Sequence, residues 1–124
     1  MEAPVNKAQA LYAFWSGFGL PAYDEGSVPD GATLPYITYE TRTDEWGSPV
    51  AMTASLWYRS SSWAEITEKE MQISEFITRG GRMIAYDGGA MWITKALPWA
   101  TRLPEEADDM IRRIVLNIQV EFLS

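Results

Sequence analysis

The end of the chain leaves little freedom of fold. Over residues 111–123, Arg112, Ile114, Leu116, Ile118, Val120 and Phe122 fall on one side, and Ile111, Arg113, Val115, Asn117, Gln119 and Glu121 on the other. Side chains of a strand alternate between the two faces of a sheet, so this period of two predicts a long strand with one buried face. It is long enough to run through the sheet and project beyond it.

Residues 62–79 predict the lid for that face. Ser62-Trp63-Ala64-Glu65 has the form of a capping box. Trp63, Ile66, Ile73, Phe76 and Ile77 share one side of the helix; Glu65, Glu68, Lys69, Gln72, Glu75 and Arg79 lie mostly on the other. Glu65 with Lys69, and Glu68 with Gln72, read as local pairs on an exposed face. Gly80-Gly81 is expected to end the helix, since glycine takes the left-handed C-terminal conformation without steric cost. A second helix is predicted over residues 6–18. Asn6-Lys7-Ala8-Gln9 opens it, Ala8, Leu11, Tyr12, Trp15 and Phe18 form its core stripe, and Gly17, Gly19 and Pro21 stop it.

The remaining elements are strands and turns. Residues 20–33 read as a long loop. Residues 34–42 and 49–59 form a predicted hairpin, with Val50, Met52, Ala54, Leu56 and Tyr58 on one face of its second strand. Residues 82–86 and 90–96 form another, around the tight turn Asp87-Gly88-Gly89. Residues 97–110 read as irregular, with a short helical turn at 105–110. The predicted fold is a single α+β domain over residues 1–124: a mostly antiparallel sheet of about five strands with two helices, about 6–18 and about 62–79, packed on it.

Composition narrows the chemistry. The chain has 124 residues, 47% hydrophobic and 22% charged, which suits one globular domain rather than a disordered chain. It contains no cysteine and no histidine. Disulfides and thiolate chemistry are excluded, as are the usual general base near neutral pH and the commonest metal ligand. The formal charge of −7 disfavours ordinary binding of nucleic-acid phosphates. No apolar run approaches the roughly 20 residues of a membrane span, and the acidic Glu2 does not fit the basic start of a signal peptide. Arg79-Gly80-Gly81-Arg82 lies between a helix and a strand, the wrong order for a phosphate loop. Ser60-Ser61-Ser62 has no activating base, and the carboxylates of residues 65–75 read as solvated. No catalytic residue, cofactor or metal site is expected.

Six tryptophans exceed what such a core needs, and tryptophan is favoured at interfaces. Trp46, at a predicted hairpin tip, either meets a neighbour or folds back on the sheet. Trp99, in the proline-rich segment, is the other candidate interface anchor.

The order of parts resembles a known family. An N-terminal helix and acidic loop precede Leu34-Pro35-Tyr36-Ile37-Thr38-Tyr39-Glu40. Then come an aromatic-rich strand ending Leu56-Trp57-Tyr58-Arg59, a capped helix, a hairpin and a terminal β run. Across most of its length the chain is similar to the small tail-terminator, or tail-completion, proteins of long-tailed bacteriophages. The resemblance implies a structural virion protein, not an enzyme. It would form a homo-oligomeric ring, six-fold, on the last ring of the tail-tube protein. There it would stop tube growth and offer a docking surface to the head-completion or connector protein, with DNA passing through the lumen unbound. It would be found at the head-proximal end of the tail, after assembly in the host cytoplasm. Acidic side chains would suit such a lumen; the candidates are Asp24, Glu25, Asp30, Asp44, Glu45, Glu105, Glu106, Asp108 and Asp109. The competing readings are a neck or connector protein of the same assembly, a small acidic inhibitor that mimics nucleic acid, and, last, an enzyme using carboxylates alone.

Overall fold

The computed structural model describes residues 4–43 and 49–123. Its elements, in chain order, are α1 (Lys7–Ser16), β1 (Ala22–Asp24), β2 (Tyr36–Tyr39), β3 (Val50–Arg59), α2 (Ala64–Ile77), β4 (Arg82–Tyr86), β5 (Gly89–Pro104) and β6 (Ile111–Phe122). The strands form one sheet in the order β1-β2-β3-β6-β5-β4. Every pairing is antiparallel except β1 with β2.

The alternating C-terminal run is the centre of that sheet. β6 pairs with the whole of β3, from Val50↔Val120 to Arg59↔Ile111, and β5 lies on its other side. Ile114, Leu116, Ile118, Val120 and Phe122 are buried, as the period of two demands. So are Val50, Met52, Ala54, Leu56 and Tyr58 of β3. Both helices pack on the face these residues share, and their buried side chains join one core with it. The connection through α2 passes over β6 and β5 before β4 begins.

The α+β class and the two helices agree with the sequence expectation, but the sheet has six strands rather than five. The additional one, β1, lies inside the predicted loop of residues 20–33. Its three residues, Ala22-Tyr23-Asp24, pair with Ile37-Thr38-Tyr39, and so few residues carry no periodicity to read. Residues 97–110 also differ from expectation. β5 does not stop near residue 96 but continues to Pro104, with residues 96–99 bulging out between Lys95↔Ile118 and Ala100↔Leu116. The bulge breaks the alternation, which hides the strand in the sequence. Residues 105–110 form turns, not a helix.

The helix details shift for local reasons. α1 is capped as expected: Gln9 N–H donates to Asn6 Oδ1 at 2.8 Å, and the Gln9 side chain accepts from Val5 N–H at 2.9 Å. Its buried face is Ala10, Leu11, Phe14 and Trp15, while Tyr12 of the expected stripe is exposed. In α2 the capping box does not form. Ser62 Oγ accepts from Ala64 N–H at 3.0 Å, and Trp63 stands at the cap position without a side-chain cap bond. The helix ends at Ile77. Thr78, not a glycine, leaves it with φ 67°, and Gly81 follows with φ 95°. Phe76, placed on the buried side by its spacing, is 40% exposed.

Candidate functional site

The helices cover one face of the sheet, and the surface left open is polar and cross-linked. Trp57 Nε1–H donates to Thr38 Oγ1 at 2.9 Å. Arg113 lies over the Trp57 ring, 4.5 Å from its centroid, and its Nε–H donates to Ser55 Oγ at 3.1 Å. The Thr53 hydroxyl and N–H both donate to Glu40 Oε1 at 2.7 Å, and Arg42 pairs with Glu40 Oε2 at 3.1 Å. Burial pushes the Glu40 carboxyl up, but the bonds from Thr53 and the charge of Arg42 outweigh it and hold the group below its ordinary value. Beside Trp57, the loop after β1 leaves a hollow of about 470 Å³ lined by Glu25, Val28, Tyr36, Thr38, Trp57 and Arg113.

The second notable surface is the outer edge of β5. β4 covers β5 only from Gly89 to Ile93. Beyond that point the edge has no strand partner among the described residues. Leu97, at the tip of the bulge, is 93% exposed. The bulge is nevertheless tied at three points. Lys95 Nζ donates to Ser74 Oγ at 2.8 Å, Trp99 Nε1–H to Glu70 Oε2 at 3.1 Å, and Asn117 Nδ2–H to the Pro98 carbonyl at 2.8 Å. Further along, the guanidinium groups of Arg102 and Arg112 approach the Trp63 ring at 4.8 and 5.3 Å. Neither has a carboxylate partner among the described residues, whose ion pairs are Arg42–Glu40 and Arg59–Asp108. The buried Arg112 Nε has no hydrogen-bond acceptor.

Of the two tryptophans expected at contacts, Trp99 is half-buried, packs against the core and bonds to Glu70. Trp46, with Asp44 and Glu45, lies outside the described residues. The other acidic candidates occupy two connections. Asp24 ends β1 and accepts from Thr41 Oγ1 at 2.6 Å and from Gly26 N–H at 3.2 Å. Glu25 and Asp30 are exposed on the loop that follows. Glu105, Glu106, Asp108 and Asp109 stand on the β5–β6 connection. There Asp108 accepts from Met110 N–H at 2.9 Å and from Arg59 at 3.0 Å, and these bonds lower its pKa. Nowhere among the described residues do three acidic side chains converge closely enough to hold a metal ion, and no described helix is long and apolar enough to cross a membrane. The surface residues that periodicity passed over are Leu97 and Arg102, while Arg112, placed by the alternation on the covered side, is half-buried against Trp63. Their role depends on the bulge and on where Trp63 lands, and no local pattern encodes either.

A third feature is an apolar cleft of about 540 Å³ between the helices, with Phe14, Phe18, Phe76 and Ile84 in its lining.

No family model matches the sequence, and no curated protein matches it. The fold, however, has a solved counterpart. A chain in the structure described as the virion of a native gene transfer agent (GTA) particle superimposes with a TM-score of 0.64, over 94% of this chain and 91% of that one, at 18% identity. The two share an architecture across almost their whole lengths.

Proposed function

We propose that this chain is a structural protein of a phage-like virion, and within it a tail terminator. The observation that carries the first part is the near end-to-end likeness of fold to a chain of a gene transfer agent virion. The second part draws on the order of elements that resembles tail-completion proteins.

In this reading the chain forms a six-fold ring on the last tail-tube ring, stops tube growth and presents a surface to the head-completion or connector protein. It acts by contact and not by catalysis. A bonded polar lattice on the open sheet face, a β5 edge beyond Ile93 without a strand partner among the described residues, and a fixed exposed leucine are features suited to contact with other subunits. The net charge of −7 would keep DNA from adhering as it passes. In this reading the exposed Glu106 and Asp109, on the turn between β5 and β6, are candidates to project into the lumen.

Electron microscopy of particles assembled without this chain tests the reading. Tails of uncontrolled length, or tails without heads, are expected. Tails of normal length joined to heads would refute it. Tails of normal length left unjoined would instead favour the neck or connector role.

A further inference from the structure

We propose that the β5 bulge edge of one copy docks, head to tail, into the hollow beside Trp57 of a second copy. The inference rests on the ring reading above and adds which surfaces meet.

Leu97 is the anchor. A leucine 93% exposed gains nothing from the fold of its own chain, yet three side-chain bonds hold its bulge in place. A pre-positioned apolar side chain loses little freedom on contact, which is what an interface anchor requires. The hollow beside Trp57, about 470 Å³ and walled by Val28 and Tyr36, has room for it.

Charge favours the same pairing. On the bulge edge, the Arg102 guanidinium lies over the Trp63 ring, 4.8 Å from its centroid, and its Nη2–H donates to Thr67 Oγ1 at 3.2 Å. Arg102 is exposed and in no ion pair among the described residues, so its other N–H groups can meet a carboxylate. The hollow carries Glu25 on its wall, with Asp30 further along the same loop, both exposed and outside any ion pair among the described residues. The one cation of the hollow, Arg113, is held against Trp57 and Ser55. The two surfaces are unlike, so their contact is heterologous and can close into a ring. The order β1-β2-β3-β6-β5-β4 sets them toward opposite edges of the sheet, so one copy can use both at once.

The native chain has no cysteine, which makes the test direct. An affinity-tagged Leu97→Cys chain is mixed in equal amount with an untagged Val28→Cys chain and oxidised. The mixed disulfide dimer is expected in at least tenfold excess over either homodimer. Ser27→Cys, on the exposed loop, replaces Val28→Cys if that chain folds poorly. Arg102→Glu in the tagged chain should cut the mixed dimer at least tenfold, and Glu25→Arg in its partner should restore it. A statistical mixture of dimers, no dimer, or no rescue by the second charge reversal would each overturn the proposal. Particles with normal tails in the chain's absence would defeat the virion reading while leaving the cross-linking result unchanged.

Discussion

Lys69 of α2 donates from Nζ to the main-chain carbonyl of Phe18 at 2.6 Å, and also to Gln72 Oε1 at 2.9 Å. Phe18 lies just past the end of α1, so one ammonium ties the exit of the first helix to the middle of the second. The same side chain reads in the sequence as half of a surface pair with Glu65. Tertiary packing redirects it because an unpaired carbonyl near a helix end is a strong acceptor for a cation.

Replacing Lys69 with methionine keeps the apolar stem and removes the charged bond. We expect a loss of about 1–2 kcal/mol in stability, the usual range for a hydrogen bond to a charged group partly open to water. Chemical denaturation would measure it, and Glu65→Gln in parallel should change little.

Gly80 and Gly81 are adjacent but not equivalent. A Cβ at Gly81 would meet the Ile93 carbonyl oxygen and Trp92 Nε1 at 2.8 Å, and the residue sits at φ +95°. A Cβ at Gly80 would meet nothing within 4 Å. Gly81→Ala should therefore cost about 2–4 kcal/mol, from backbone strain plus overpacking against β5. Gly80→Ala should stay within about 0.5 kcal/mol of the parent. Equal losses from the two would contradict this placement of the α2–β4 turn.

Leu116 is fully buried in the middle of β6, between Ala54 on β3 and Ala100 on β5. Truncation to alanine removes apolar contacts and leaves a cavity that the flanking strands cannot fill. The expected loss is about 2–5 kcal/mol in thermal or chemical unfolding. Leu97→Ala, at the exposed bulge, should leave monomer stability nearly unchanged.

Glu40 governs part of the pH response. Its folded-state pKa lies below the ordinary value of 4.5, so ionised Glu40 contributes stability above that pH. The contribution fades as pH falls through the lower folded-state value. Glu40→Gln should be less stable than the parent near neutrality, and the gap should close progressively as the solution is acidified below about 4.5. A gap that stays constant across that range would show that the Thr53–Glu40 bonds do not depend on charge.

Several features were written into short stretches of sequence. The alternation of residues 111–123 identified a long strand and its buried face, because a period of two leaves only one way to hide Ile114, Leu116, Ile118, Val120 and Phe122. The same logic served β3. Asp87-Gly88 marked the β4–β5 turn, and Gly88 takes φ +86° there. Asn6 marked the start of α1, where its side chain meets an N–H only three residues away. Each of these depends on neighbours along the chain.

What sequence could not supply depends on residues far apart in the chain. β1 exists because Tyr23 and Thr38 are brought side by side, and the bulge at residues 96–99 is held by Ser74, Glu70 and Asn117 from other elements. The candidate surfaces follow from those contacts. Leu97 is an ordinary apolar residue in sequence, and only the bulge puts it in water. Arg102 and Arg112 are two of ten cations until α2 lays Trp63 beside them. Local pattern was enough to set the periodic elements and the class of fold. The tertiary structure decided the order of strands, which edge stays open and which side chains face outward, because pairing and burial are long-range properties that no local pattern encodes.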